Sequence, residues 1–419
     1  MSSGPSDSNE QPLSLAPWAS LRYSAYSCLF LLSLFATTAQ QMRQSQNFYQ
    51  VYDLSGSAFL LGLTGLAQGI PIFAFGLLGG TLADFIDRKK LLLITIFGNL
   101  LVAATLGTLT LTGLIRVWHI LVATAVTSAL NIVLNPTRMA LISHLVPRSH
   151  LTNAVSLNSS VSQGSHFIGP MLGGLSLAWM STGNAYLFNA LFYIPAAVAI
   201  APLKVPVTDK TEREKFSMAS FLGGVRFLLS EPIILTLVML DFIVISVGYY
   251  RPLLPVFAKD ILVVGPAGFG MLSSAPAVGG IIGTITLLTI GDVKSKGLLV
   301  LWSFFAYALA LGIFAISTSF WLSLLLLGAM GLANSLQAVM RQTSFHLLTP
   351  DHMRGRAFSV FNMFSQGANS VGATEVGFMA ALLGAPGSLL VGCAVGSILT
   401  LACWAGFPGL RQFGTENVK

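Results

Sequence analysis

Along this chain, long runs without a charged residue alternate with short polar connections. Phe59 to Leu78 carries no charge, and neither does Leu91 to Ile115. An uncharged apolar run of 18 or more residues has the length of a membrane-crossing helix. Windows of this kind place twelve spans near 23–50, 58–80, 91–113, 117–142, 155–180, 184–202, 231–250, 266–290, 298–317, 320–345, 356–383 and 387–408. The longest charged segment, Lys204 to Lys215, divides them six and six. The expected organisation is a tail (1–20), a six-helix bundle (21–202), a linker (203–219), a second six-helix bundle (220–408) and a tail (409–419). Phe216 to Leu229, with Arg226, has the pattern of an amphipathic lead-in to the seventh span.

Composition agrees with a polytopic membrane protein. Hydrophobic residues make up 54% of the chain, charged residues 9%, and the mean hydropathy is +0.76. That leaves too little polar surface to cover a soluble protein of this length. The net charge of +7 does not point to nucleic acid, because the cations are scattered singly. They report topology instead. Sixteen of the 22 Lys and Arg fall on one side of the twelve spans, so both termini are expected in the cytoplasm and the chain in the cell inner membrane. Residues 1–20 have no charged region ahead of an apolar core, so no cleavable signal peptide is expected and the first span serves as its own insertion signal.

Cys28, Cys393 and Cys403 lie in apolar runs and have neither disulfide nor metal-ligand spacing. No phosphate loop, nucleophile triad or cofactor fingerprint occurs. An enzyme, a cofactor and a metal centre are therefore not expected.

The two halves repeat. A shift of 203 positions aligns Asn131 with Asn334, Arg138 with Arg341, Pro147 with Pro350, Ser162-Gln163-Gly164 with Ser365-Gln366-Gly367, Gly169 with Gly372, and Gly174 with Gly377. Spans four and five thus recur as ten and eleven, as in a parallel repeat about an axis along the membrane normal.

Between the second and third spans lies Gly79-Gly80-Thr81-Leu82-Ala83-Asp84-Phe85-Ile86-Asp87-Arg88-Lys89-Lys90, and a degenerate copy, Gly291-Asp292-Val293-Lys294, follows the eighth. In this loop Asp84 is suited to a helix N-terminus, and the three cations to lipid phosphates or a carboxylate. The segment resembles the cytoplasmic loop motif of major facilitator superfamily transporters, and Ala83-Asp84 followed by Asp87-Arg88-Lys89-Lys90 is similar to their drug, macrolide and siderophore exporter branch. Phe85 stands where that motif usually carries Arg. The resemblance implies an all-α integral membrane fold of two pseudo-symmetric six-helix bundles, with Gly80, Asp84, Asp87, Arg88, Lys89 and Asp292 in a conformational gate. Gly169-Pro170-Met171-Leu172-Gly173-Gly174 in span five is similar to the Gly-Pro-x-x-Gly-Gly motif associated with antiport. Its structural alternative is close helix packing by Gly169, Gly173 and Gly174 around the bend at Pro170.

Ionisable residues inside spans are costly, at about 2.5–3.5 kcal/mol on insertion scales, unless they face a cavity or a partner. Asp241 and Glu375 are candidate proton-coupling groups, with a permanent Arg partner across the bundle interface as the alternative. His166 is a third candidate, against a packed polar residue. Arg138 and Arg341 are read as gate or interbundle latch residues. The run Gln40-Gln41-Met42-Arg43-Gln44-Ser45-Gln46-Asn47 is too polar to face lipid, so it lines a water-filled cavity or extends beyond the membrane. Gln40, Arg43, Gln163, Gln337, Gln366 and Asn369 are candidate substrate-cavity residues.

The function implied by the resemblance is export of a small amphipathic organic compound by proton antiport with alternating access. Membrane lipids are the expected surroundings, a monomer the expected state and nucleic acid no partner. Nutrient uptake by the same fold and a non-transporting membrane sensor or scaffold remain alternatives.

Overall fold

The computed structural model describes residues 18–85, 87–203, 218–291, 293 and 295–407; in 75–85 the description is of the backbone alone. The described residues are almost entirely helical and contain no strand. Helix is what lipid demands, since it satisfies each backbone N–H and C=O within its own segment. The helices are α1 (Ser24–Ser55), α2 (Ala58–Phe85), α3 (Arg88–Leu111), α4 (Val117–Leu145), α5 (Leu151–Trp179), α6 (Thr182–Ile200), α7 (Met218–Ser230) and α8 (Pro232–Val247). After α8 the single turn α9 (Leu254–Val256) sits between a 3-10 turn and a π turn. There follow α10 (Gly265–Ile290), α11 (Lys296–Ile316), α12 (Phe320–Leu348) and α13 (Asp351–Gly406).

Gly384, at φ 74° and ψ 164°, breaks α13 into two segments, a conformation that a side chain would strain. With that break the described residues hold twelve long helical segments, and the shorter α7 precedes the seventh. By length and composition, eight helices of the described residues can cross a membrane. The more polar α1 and α5 fall outside that set and are tied instead to their neighbours.

Two groups of helices pack internally. In the first, α1 lies against α4, α5 and α6, α3 against α4 and α6, and α2 against α4; in the second, α12 lies against α10 and α11, and α13 against α8 and α11. The groups meet along α2 with α13 and along α5 with α10. Large apolar side chains on the outside stay uncovered, as with Leu288 at 79% and Leu325 at 67% exposure. Such a surface suits lipid rather than water.

Each of these two contacts contains a glycine crossing. The Cα of Gly270 in α10 occupies the place where a Cβ on Gly174 of α5 would stand, and Gly62 of α2 does the same for Gly377 of α13. Backbone therefore meets backbone at both crossings. Gly174 and Gly377 are mates in the 203-residue repeat. Along α5 the contact with α10 passes to a hydrogen bond from Ser274 Oγ to the Phe167 carbonyl, 3.0 Å, and ends in open space at Gly164.

At the end of the molecule formed by the C-terminus of α1, the groups are joined across polar side chains. Lys259 Nζ lies 2.6 Å from Asp53 Oδ1 and 5.6 Å from the centre of the Tyr49 ring, and the Tyr52 hydroxyl donates to Asp260. Beneath them a buried apolar cluster joins Tyr49 and Leu177 to Tyr250, Phe257 and Phe314. Phe257 stacks on Phe314 with ring centres 4.5 Å apart.

Candidate transport site

Asp241 of α8 is 1% exposed and forms an ion pair with Arg341 of α12, which is 6% exposed. Gln337 Nε2, one turn earlier on α12, lies 3.5 Å from Asp241 Oδ1 and donates to Asn334 Oδ1 at 3.0 Å. Ser365 Oγ of α13 donates to Asp241 Oδ2 at 3.3 Å. The guanidinium of Arg341 stacks over the Phe361 ring at 4.9 Å, a cation–π contact. Three helices thus converge on one carboxylate. Taking two charges out of water costs several kcal/mol per ion, and this geometry offsets that cost only while both charges are present.

The pair corrects one expectation. Both partners belong to the second helix group, so among the described residues the Arg partner of Asp241 comes from its own group and not from across the interface. Arg138, the repeat mate of Arg341, is likewise held inside its own group, where Nη1 donates to Thr37 Oγ1 at 3.0 Å. Among the described residues no carboxylate pairs with Arg138. Neighbouring Thr38 shares a 3.1 Å hydrogen bond with Ser165 of α5.

Glu375 stands elsewhere. It lies on α13 ten residues beyond Ser365, or about 15 Å along the helix axis. There it lines a crevice of about 840 Å³ between α2 and α13, among Phe59, Leu66, Phe73 and Phe378. The crevice is nearly all apolar, and its Phe and Leu side chains are exposed on the outer surface. His166 of α5 is half-buried, with a buried Nδ1 that no group satisfies. On α5 and α13 the repeat mates Gln163 and Gln366 are exposed, and Asn369 donates to the Ser365 carbonyl at 3.3 Å.

The polar run of α1 is helical throughout, and its residues divide between ties to other helices and the lining of a small cavity. Gln41, Gln46, Asn47 and Gln50 are buried, and the last three are ties between helices. Gln46 Nε2 donates to Ser176 Oγ and the Ala185 carbonyl at 3.1 and 3.0 Å, and Gln50 to Thr110 at 2.9 Å. Asn47 Nδ2 donates to Thr124 at 3.1 Å and its Oδ1 accepts from Tyr186 at 2.9 Å. Gln40, Arg43 and Gln44 instead border a cavity of about 50 Å³ shared with α2 and α4. Arg43 Nη1 donates to Asn99 Oδ1 of α3 at 2.9 Å.

The glycines of α5 divide their work. Positions 169 and 173 lie against α1, where a Cβ on Gly169 would stand 2.5 Å from that of Gln41 and one on Gly173 3.0 Å from the Met42 carbonyl. Gly174 faces α10. Pro170 is buried between them.

In the loop after α2, the anionic cap is Asp87 and not Asp84. Asp87 Oδ1 accepts from the backbone N–H groups of Lys89 and Lys90 at 2.7 and 3.2 Å, starting α3. Gly80 and Asp84 belong to the helical backbone of α2, Asp84 in its last turn, where a negative charge is disfavoured. Their side chains, and Asp292 entirely, lie outside the described residues. Lys89 Nζ donates to the Ala201 carbonyl at 2.9 Å, placing a cation at the C-terminus of α6. Arg88 is half-buried beside it.

Tyr52, Asp53, Lys259 and Asp260 were not among the sequence candidates. Their signal was present, since an acid ends the first span and a base follows the seventh, both on the face expected outside.

The profile of the transmembrane secretion effector family matches residues 15–412. The chain belongs to this family of major facilitator transporters. Its relatives include the enterobactin exporters EntS of Shigella boydii serotype 4 (strain Sb227) and Escherichia coli O81 (strain ED1a), each 26% identical over 80% of this chain and 80% of the relative. Among solved structures, the nucleoside transporter NupG superposes with a TM-score of 0.73 at 13% identity, covering 92% of this chain and 99% of NupG. A bacterial homologue of the lysosomal transporter Spinster gives 0.69 at 13%, covering 92% and 98%. The fold is that of the major facilitators, and the chain is a multi-pass membrane transporter, not an enzyme.

Proposed function

We propose that this transporter exports a small amphipathic, siderophore-like organic compound across the cell inner membrane by proton antiport with alternating access. The observation that carries the coupling step is the buried Asp241–Arg341 pair, in which one carboxylate of α8 is held by groups from two other helices, α12 and α13. Protonation of Asp241 removes the charge that holds Arg341. The network then relaxes, and α8, α12 and α13 become free to shift relative to one another. Deprotonation restores the pair and the former arrangement. Glu375 and His166 stand apart from this network and are second choices for the proton.

The two moving bodies are taken as 21–202 and 220–408, joined by 203–219, with tails 1–20 and 409–419 in the cytoplasm. In that orientation the end joined by Asp53–Lys259 and Tyr52–Asp260 faces outward, and the outer gate is shut. The family match and the EntS relatives support export. The direction of the charge bias supports the orientation.

The test is transport in proteoliposomes under an imposed pH gradient, with a fluorescent amphipathic compound and an iron-chelating siderophore as probes. Gradient-driven movement of either probe that disappears in Asp241→Asn supports the reading. Movement that persists in Asp241→Asn without change removes Asp241 from the coupling. A native chain that moves neither probe overturns the proposal as stated.

A further inference from the structure

Arg43 of α1 is 3% exposed in the middle of a helix that crosses the molecule. Its hydrogen-bond partner among the described residues is the neutral carbonyl of Asn99. That amide is itself fixed, because Asn99 Nδ2 donates to the Thr95 carbonyl at 2.8 Å and so turns Oδ1 toward the guanidinium. A guanidinium offers five N–H donors in a rigid fork, and one neutral acceptor leaves the charge uncompensated. Asp53, ten residues along α1, is engaged by Lys259 at the far end. The ionic neutralisation given to Arg341 by Asp241 is therefore missing here.

The guanidinium borders the 50 Å³ cavity together with Gln40, Gln44, Thr64, Gln68, Thr127 and Asn131. Thr64 and Thr127 are buried, whereas Gln40, Gln44, Gln68 and Asn131 remain partly accessible. Amide and hydroxyl side chains around a fixed cation form a receptor for a small anion, and Arg recognises carboxylates with paired parallel hydrogen bonds. The cavity has room for an acidic group and not for a whole amphipathic molecule.

We infer that the Arg43 cavity is the recognition site for an acidic group, a carboxylate or its equivalent, on the exported compound. This deepens the export reading and rests on it. The substrate class narrows from any amphipathic compound to an organic anion, whose apolar body stays outside the cavity. The carboxylate supplies what Arg43 lacks, and the half-buried amides complete its hydrogen bonds.

Binding is measured without a gradient, on the full chain in phosphatidylcholine nanodiscs, with pyrenebutyrate and its uncharged counterpart pyrenebutanol as fluorescent probes and empty nanodiscs as the blank. The native chain is expected to bind the acid about tenfold or more tightly than the alcohol, as for a charge-assisted hydrogen-bonded group. Arg43→Gln is expected to bind both equally, and Arg43→Lys to keep part of the preference. Anionic phosphatidylglycerol in the discs is expected to leave the preference in place; its loss there would assign the site to a lipid headgroup and overturn the inference. Equal binding of the two probes by the native chain overturns it as well, even if the Arg43 variants do not fold. So does a preference unchanged in Arg43→Gln. Because no transport is required, a chain that binds the acid but exports nothing fails the export reading alone, and a chain that exports without any acid preference fails this inference alone.

Discussion

Arg138 donates to the hydroxyl of Thr37 in the place where its repeat mate Arg341 meets the carboxylate of Asp241. The two helix groups share a plan and differ in charge at its centre. The group containing Asp241 has a neutral ion pair there, while among the described residues neither Arg138 nor Arg43 of the other group meets a carboxylate.

The difference predicts unequal costs for removing the two arginines. Arg341→Met strands a buried Asp241 and is expected to destabilise the protein by about 3–5 kcal/mol, the range for breaking a buried pair. Among the described residues Arg138→Met strands the Thr37 hydroxyl, a cost of about 1 kcal/mol. Thermal unfolding in detergent compares them directly, and equal losses would contradict the pairing seen here.

Replacing both members of the pair separates stability from coupling. Asp241→Asn alone leaves Arg341 buried without its counter-charge and is expected to lower both the melting temperature and pH-driven transport. Adding Arg341→Gln removes that charge, so the double variant is expected to recover much of the melting temperature while transport stays lost. Recovery of transport in the double variant would show that the pair is structural only.

The proposed gate at the α1 end is expected to contribute little stability. Lys259 and Asp53 are 31% and 45% exposed, and ion pairs of that kind contribute about 0–1 kcal/mol. Such a contact is well suited to being broken and remade. With Cys28, Cys393 and Cys403 replaced, Asp53→Cys and Lys259→Cys joined by a short thiol-reactive cross-linker are expected to stop turnover, and each single variant to keep it. Full turnover in the cross-linked protein would mean that this end never opens.

The glycines of α5 give a graded prediction. Gly164→Ala meets open space and is expected to be silent, whereas Gly174→Ala drives a methyl group into the backbone of Gly270. Overpacking of that kind costs about 1–3 kcal/mol, and here it also pushes α5 away from α10. Melting temperature and transport rate are both expected to fall for Gly174→Ala only.

Much of the fold was legible because its cause is one-dimensional. Lipid imposes a length and a charge rule on each span separately, so runs such as 117–142 and 298–317 lie within α4 (Val117–Leu145) and close to α11 (Lys296–Ile316). The gap left between the last two spans falls on Gly384. The site was legible only in its residues. Asp241 and Arg341 are far apart in sequence, and no local pattern says that they pair within one group rather than between groups. Gln46 and Asn47 looked suited to water because a sequence does not show the hydroxyls and carbonyl waiting on α4, α5 and α6. In the loop after α2, two aspartates of the same motif competed for one cap, and the choice of Asp87 depended on where α2 stops. Past α8, residues 251–261, between the expected spans 231–250 and 266–290, coil into tight turns at one end of the molecule.

The two glycine crossings, Gly174 on Gly270 and Gly62 on Gly377, occupy matching places in the two contacts between the groups. Contacts made of side chains resist rotation, because interdigitated rotamers must be unlocked before one surface can turn on another. A bare main chain has no such teeth. In the proposed alternating access the crossings would therefore act as a pair of smooth bearings, one in each contact, which allow a tilt without adding friction to it. Reorientation in that scheme is expected to depend on chemistry at the buried carboxylate and the outer polar contacts rather than on repacking a core.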